Sequence, residues 1–374
     1  MTPQTAPAPN EPRSILARLS TGSRSVGLRY GMVLLLAILV VGVSTAESSF
    51  LTQSNLLNLA LQWAPVAIMA VPMTLVVIAG GFDLSVGGTY AAACVLYAYL
   101  GTGGHWGSSE ALLVCAAMGA VIGLINGLLI TVLDVNPFVA TLGTGYIVRG
   151  LALVATGGIP VIMTTTSFTN LGSDSVGGVP IPVWILLASL VVGAFVLSRT
   201  VYGKQIYAVG GGEEASRLSG LKTRTLRTST YALAGVAAGV SGAIIASRLS
   251  TGDSTIGAGI ELQVITVVLA GGIALSGGEG AMWRAAVGLG VLAVLGNAFD
   301  LMQLSTFWQS VVTGAVLIAA IALDRFGKRQ GLADQTTPTM FISTSSGDGF
   351  TAPGDRSTAP SSNEGPNPTD KELV

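Results

Sequence analysis

The sequence predicts an all-α integral membrane protein that crosses the bilayer many times. Half of its 374 residues are hydrophobic and only 10% are charged, whereas a soluble domain carries about 25% charged residues. The hydrophobic residues form long apolar runs, and lysine and arginine are concentrated in alternate connections between them. These observations predict about ten transmembrane helices and one short helix in a polar connection.

Ten apolar runs approach or reach the ~17–25 residues that a helix needs to cross a bilayer. They are residues 31–46, 57–80, 84–100, 111–133, 137–155, 182–199, 228–247, 261–275, 282–299 and 306–323. The first and the eighth are short, and 84–100 and 261–275 are compatible with tilted, broken or re-entrant segments. We therefore expect a transmembrane domain over residues 31–325, after an N-terminal cytoplasmic segment over residues 1–30.

The distribution of positive charge predicts the orientation. Four connections contain no lysine or arginine: 47–56, 101–110, 156–181 and 300–305. The intervening ones contain most of these residues, with clusters at 13–29, 199–227 and 325–329. Because positively charged loops stay in the cytoplasm, both termini are predicted to be cytoplasmic, in a multi-pass protein of the cell (inner) membrane. Residues 326–374 are mostly polar, rich in Ser, Thr and Pro, and predict a disordered cytoplasmic tail.

Two segments of the chain repeat one pattern. Residues 76–88 read VVIAGGFDLSVGG, and residues 267–278 read VVLAGGIALSGG. Chance similarity in a chain rich in Gly, Val and Ala is one explanation. A duplicated unit, which is common in transporters, is the other.

Several polar residues interrupt the apolar runs. Asp83 and Ser85 lie between glycine pairs, where a helix break is expected, and either one could cap the next helix or act as a gate. Arg149 lies deep in its run and needs a partner or an aqueous path. Asp134 or Asn136 can cap the helix that begins at Pro137. The candidate residues for a translocation pathway or gate are Asp83, Ser85, Asn126, Asn136, Thr141, Arg149 and Gln263.

The connection at residues 200–227 contains the sequence GGEEASRLSGLKT, which predicts a short helix. Glu213 and Glu214 lie in its first turn, where negative charge favours the helix dipole. Glu213 and Arg217 are four residues apart in the favourable order, and Gly220 can end the helix in the left-handed conformation. So short a helix is marginal in water, so it needs a surface on this chain or on a partner; a solvated connector is the alternative.

The sequence also excludes some functions. It contains no P-loop for ATP, no H-E-x-x-H and no Cys/His cluster, so we predict no catalytic residue, no metal site and no cofactor on this chain. The formal net charge of -1 provides no basic surface for nucleic acid. Any ATP-driven process must therefore take its energy from another chain.

Four blocks of sequence carry a resemblance to a known family. The stretch EASRLSG, residues 214–220, is similar to the EAA-x-x-x-G loop of ABC-importer permeases, with Ser216 in place of the second alanine. This stretch belongs to the first of four blocks that together resemble the ribose-type (simple-sugar) ABC permease family over roughly residues 50–325. The blocks are YGKQIYAVGGGEEASRLSGLKT, AGGFDLSVGG, NPFVATLGTGYIVRGLALVATGG and LAGGIALSGGEG.

The resemblance implies a function and partners. The chain would be the permease subunit of a monosaccharide importer, often a homodimer, with membrane lipid around it. An extracytoplasmic sugar-binding protein would deliver the solute, and a cytoplasmic ABC ATPase with two nucleotide sites would use ATP and Mg²⁺. The short helix would be the coupling helix that contacts this ATPase. Its contact residues would be Glu213, Glu214, Ala215, Arg217, Leu218 and Gly220.

Other functions remain open at the level of sequence. A permease of the same importer class could carry a branched-chain amino acid or a nucleoside. A stand-alone secondary transporter would need neither ATP nor a partner. A membrane enzyme or scaffold is disfavoured because the chain has no recognisable catalytic cluster.

Overall fold

The computed structural model describes residues 15–305, 307–316 and 318, with side chains from residue 31 onward. The side chains of the whole predicted N-terminal segment, 1–30, therefore lie outside the description, although a helix already begins at Ile15. The predicted tail at 326–374 and part of the tenth predicted span also lie outside the described residues.

Twelve α-helices form within residues 15–305. They are α1 Ile15–Ala46, α2 Gln53–Ile78, α3 Ser85–Leu100, α4 Ser108–Thr131, α5 Pro137–Thr156, α6 Asn170–Ser173, α7 Ile181–Arg199, α8 Val201–Gly211, α9 Glu213–Leu218, α10 Thr223–Leu249, α11 Ile260–Ala270 and α12 Met282–Leu301. Residues 307–316 are also helical. A 3-10 helix forms at Thr166–Thr169, and four two-residue strands form at Val161–Ile162 (β1), Ser175–Val176 (β2), Val179–Pro180 (β3) and Thr251–Gly252 (β4). Antiparallel pairing joins β1 to β4 and β2 to β3.

The helices confirm a polytopic all-α membrane protein, but they do not confirm ten crossings. Among the described residues, six helices are long and apolar enough to span a bilayer: α2, α4, α5, α7, α10 and α12. The helices α3 and α11 contain 16 and 11 residues, or about 24 and 17 Å of helix. They are shorter than the ~30 Å hydrocarbon core, which is compatible with the tilted, broken or re-entrant segments considered for 84–100 and 261–275.

The centre of the bundle is built around α2 and α10. Every residue of α2 from Trp63 to Ile78 is buried, and α10 packs against α2, α3 and α4. A helix that is apolar around its whole circumference is suited to such a position. The last sixteen residues of α2, from Trp63 to Ile78, are therefore enclosed by neighbouring parts of the chain.

Glycines bring α4 and α10 into direct backbone contact. On α4 they recur every four residues, at Gly119, Gly123 and Gly127, and on α10 at Gly235 and Gly239. A Cβ added to Gly119 would overlap the carbonyl oxygen of Gly235, and the reverse is also true. In lipid, where the hydrophobic effect does not drive helices together, small residues permit the close approach that stabilises them.

This packing predicts the effect of adding one methyl group. We expect Gly123→Ala to destabilise the protein by at least ~1–3 kcal/mol, because its Cβ would overlap the carbonyl oxygen of Tyr231. The matched control is Gly143→Ala on α5, because no heavy atom of the described residues lies within 4 Å of that Cβ position. Thermal unfolding of the detergent-solubilised variants measures the difference. Equal unfolding midpoints would contradict the proposed importance of this contact.

Candidate functional site

The predicted short helix is present as α9, and its ends follow the sequence closely. It begins at Glu213, directly after Gly212, and ends at Leu218. Gly220 has a φ of 85°, in the left-handed region that was predicted to end the helix. The connection 200–227 therefore contains two helices, α8 and α9, between α7 and α10.

The ion pairs of α9 differ from the predicted pairing of Glu213 with Arg217. Arg217 pairs instead with Glu214, with 2.5 Å between Nη2 and Oε1. Glu213 reaches the next helix, where its Oε2 lies 2.6 Å from Nη1 of Arg227. The reason is position: Glu213 is the first residue of a six-residue helix and lies beside the start of α10. Hydrogen bonding by Arg217, together with its charge, holds the pKa of Glu214 below its ordinary value.

The face of α9 that lies against the chain is centred on Ser216. This residue is 6% exposed, whereas Leu218 is 76% exposed and Ala215 is also exposed. The apolar residues of α9 therefore point away from the chain's own helices. Ser216, the one departure from the EAA pattern, is buried against the chain itself, and the exposed face of α9 presents Glu214, Ala215, Arg217 and Leu218.

The chain just before α9 is held by four glycines that we call the glycine junction: Gly80, Gly210, Gly277 and Gly278. The N–H of Gly278 donates to the carbonyl oxygen of Ile78 at 2.8 Å, which joins the two copies of the repeated sequence. Gly210, near the end of α8, lies between them, and a Cβ on it would overlap that same oxygen. A Cβ on Gly277 would lie 2.9 Å from Cα of Gly80.

The glycine junction places the end of α8, directly before α9, in backbone contact with both repeats. The first repeat contains the end of α2, and the second contains the end of α11. Because these contacts join backbone to backbone, no side chain separates the end of α8 from the two repeats. The backbone that leads into α9 is therefore packed directly against both of them.

Four of the predicted pathway residues form one buried polar network. Asp83 Oδ1 accepts hydrogen bonds from the N–H of Ser85 at 2.9 Å and from its hydroxyl at 2.5 Å. The amide of Asn126 donates to the Ser85 hydroxyl at 2.7 Å. The Thr141 hydroxyl accepts from the N–H of Leu84 at 3.0 Å and donates to the carbonyl of Pro137 at 2.8 Å.

This network fixes the start of α3. Asp83 bonds the N–H of the first helical residue, which satisfies one of the donors that every helix start leaves free. Asn126 belongs to α4 and Thr141 to α5, so the network joins three helices at one point. All four side chains are at most 1% exposed. In this conformation they hold helices together; their predicted role in a pathway or gate stays a prediction.

Arg149 has backbone partners. Its Nη2 donates to the carbonyl oxygens of Gly257 at 3.2 Å and of Gly87 at 3.4 Å. With Glu261, it also lines a small cavity of about 60 Å³. Two backbone carbonyl oxygens therefore accept from one nitrogen of the guanidinium that the sequence placed inside the membrane, whereas its Nε has no partner among the described residues.

Gln263 lines a larger cavity, which combines apolar residues with several uncharged polar side chains. Its volume is about 410 Å³, and its lining includes Thr266 of α11 and three residues of the helix at 307–316, namely Gln309, Ser310 and Thr313. These three were not among the residues predicted from sequence. The signal was available, because their spacing places them on one side of a helix within the apolar run 306–323.

Asn136 lies apart from both groups. It is exposed, and its side-chain oxygen accepts from the N–H of Phe138 at 2.9 Å. It is therefore the N-cap of α5, which the sequence offered as one of two possibilities. Its neighbour Asp134 has a φ of 58° and belongs to the preceding turn.

Comparison with known proteins gives the family. Residues 55–321 match the family described as the permease component of branched-chain amino acid transport systems. The chain is 39% identical over 299 residues to the ribose import permease protein of Bacillus subtilis (strain 168), covering 79% of this chain and 92% of that protein.

Two arabinose permeases are also similar. The chain is 34% identical over 305 residues to the L-arabinose transport system permease protein of Escherichia coli (strain K12), covering 80% and 92% of the two chains. It is 33% identical over 333 residues to the L-arabinose ABC transporter permease protein of Azospirillum brasilense, covering 88% and 97%. No solved structure shows a significant match. The chain therefore belongs to this family of membrane permeases, and its predicted resemblance to the ribose-type sugar permeases is confirmed.

Proposed function

We propose that the chain forms the membrane pathway of an ATP-driven importer for a neutral monosaccharide of the ribose or arabinose type. The observation that carries this proposal is the helix α9. It presents an exposed leucine and two charged side chains, and the end of α8 directly before it lies in the glycine junction. The relatives support the solute class, because those described above are ribose and arabinose permeases.

The surface of α9 is suited to a protein partner. Leu218 is 76% exposed on a helix whose other outward residues include Glu214 and Arg217. Burying a leucine against a partner contributes ~1.5–3 kcal/mol. We assign this partner as a cytoplasmic ABC ATPase with two nucleotide sites, which binds ATP and Mg²⁺. The positively charged connections support a cytoplasmic position for α9 and both termini.

The cavity that Gln263 lines beside α11 supports the proposed class of solute. Its volume of about 410 Å³ falls within the roughly 300–1,000 Å³ of small-molecule sites. The amide of Gln263 and the hydroxyls of Ser310 and Thr313 both donate and accept hydrogen bonds, as sugar hydroxyls do. An extracytoplasmic sugar-binding protein would deliver the solute, and a second copy of the permease would complete the pathway.

Reconstitution tests the proposal. Purified permease in proteoliposomes is assayed for uptake of radiolabelled ribose and arabinose, alone and together with the ATPase and the sugar-binding protein. We expect uptake only with both partners and ATP. Uptake by the permease alone, driven by an ion gradient, would identify a secondary transporter instead. ATP-dependent uptake of leucine or a nucleoside, without uptake of either sugar, would reassign the solute.

The exposed leucine of α9 gives a direct test of coupling. We expect Leu218→Asp to weaken ATPase binding by roughly 10- to 100-fold, since it replaces a buried apolar contact by a charge. Folding should be unchanged, because the side chain is exposed. Co-purification of the ATPase measures the effect. The matched control is Val176→Asp, an exposed residue of β2, for which we expect normal co-purification; equal co-purification of both variants would refute the assignment.

The cavity gives a second test. We expect Gln263→Leu to lower sugar uptake by roughly 2- to 10-fold, because one polar contact with the solute is lost. Co-purification of the ATPase should stay at the wild-type level. Gln62→Leu, at an exposed glutamine of α2, is the control. If both variants transport sugar like the wild type, Gln263 does not lie on the pathway.

A further inference from the structure

An ion pair ties α9 to a central membrane helix. Glu213 Oε2 lies 2.6 Å from Nη1 of Arg227, which is in the first two turns of α10. The side chain of Arg227 is only 14% exposed, compared with 45% for Glu213. Because the arginine is largely enclosed, separating it from its partner is more costly than breaking a surface ion pair. Movement of α9 therefore acts on Arg227.

Tyr231 continues this path one helical turn further along α10. It is 1% exposed, and its hydroxyl lies so close to Gly81 that a Cβ there would overlap it. Gly81 is two residues before Asp83, and Arg227 is four residues before Tyr231 on α10. Tyr231 therefore lies between the arginine held by α9 and the segment that starts α3.

Three buried polar atoms along this path find no hydrogen-bond partner in the described part of the chain. They are Nε of Arg227, the hydroxyl oxygen of Tyr231 and Oδ2 of Asp83. Such atoms are rare because leaving them unpaired costs free energy. Their hydrogen-bonding roles are complementary: Arg227 Nε donates, the Tyr231 hydroxyl can accept and donate, and Asp83 Oδ2 accepts.

We propose that Glu213, Arg227, Tyr231 and Asp83 form a relay that couples movement of α9 to the start of α3. In the described conformation, Arg227 Nε makes no hydrogen bond to the Tyr231 hydroxyl, and that hydroxyl makes none to Asp83 Oδ2. In a second conformation, Arg227 Nε donates to the Tyr231 hydroxyl, which donates to Asp83 Oδ2. The relay deepens the proposed function and rests on it, because α9 must receive its movement from the ATPase. Arg227 and Tyr231 are positioning residues in this scheme.

The central test removes a single oxygen atom. Tyr231→Phe is compared with Tyr202→Phe, whose hydroxyl lies 2.7 Å from Ser229 Oγ on the same part of α10. In the complete importer, with ribose and arabinose as probes, we measure sugar transported per ATP hydrolysed and co-purification of the ATPase. We expect Tyr231→Phe to lower the transport ratio roughly 2- to 10-fold with normal co-purification. Tyr202→Phe should match the wild type in both.

A charge exchange tests the other end of the relay. Glu213→Arg and Arg227→Glu should each lower the transport ratio, and the double variant should recover most of it, because the ion pair is restored in reverse. A merely structural role of either side chain does not predict this recovery. The exchange also keeps the proposal testable if Tyr231→Phe fails to fold, since Glu213 is half exposed.

Two results would overturn the relay. One is a transport ratio for Tyr231→Phe equal to that of Tyr202→Phe. The other is a double charge-exchange variant that is no better than the worse single variant. Failure of the proposed function looks different, because the wild-type permease itself would then neither bind an ATPase nor require ATP for uptake.

Discussion

Direct backbone contact between glycines is the interaction on which the rest of the structure depends. In lipid there is no hydrophobic driving force between helices, so close van der Waals packing has to hold them together. Glycines on α4 and α10 allow that approach where Gly119, Gly123 and Gly127 meet the stretch of α10 from Thr228 to Gly239. The same principle acts at the glycine junction, where Gly210 touches the backbone of Ile78 and Gly278. Through these contacts, the backbone that leads into α9 packs against the end of α2, where the segment between α2 and α3 begins.

The residues that the sequence placed in one translocation pathway or gate include two separate groups in the structure. Asp83, Ser85, Asn126 and Thr141 are buried and bonded mainly to one another and to backbone, which suits a joint between helices. Gln263 lies in a cavity with other uncharged side chains, which suits contact with a neutral solute. The arrangement separates the residues that hold the conformation from those proposed to meet the sugar, so variants in each group should have distinct effects.

Local signals predicted local structure well. The start and end of α9, the left-handed Gly220 and the cap at Asn136 all follow from residues within one or two turns. Side-chain partners on different helices were harder to predict from the sequence. Glu213 pairs with Arg227, fourteen residues away, where a within-helix pair with Arg217 was expected. Ser216 faces the chain and Leu218 faces outward because the surface beneath α9 is made by other helices, which a six-residue pattern does not contain.

The sequence by itself determined that the chain is a polytopic membrane protein, that a short charged helix lies in a polar connection, and that the chain contains no P-loop. Apolar runs, positive charge and motif spacing are properties of the chain, so they can be read without a fold. Only the tertiary structure decided that the two repeats touch at Ile78 and Gly278, with Gly210 between them. It also decided that Arg149 bonds carbonyl oxygens. These contacts join residues that are far apart in the sequence. They are made to backbone atoms, which every residue has, so no pattern of side chains predicts them.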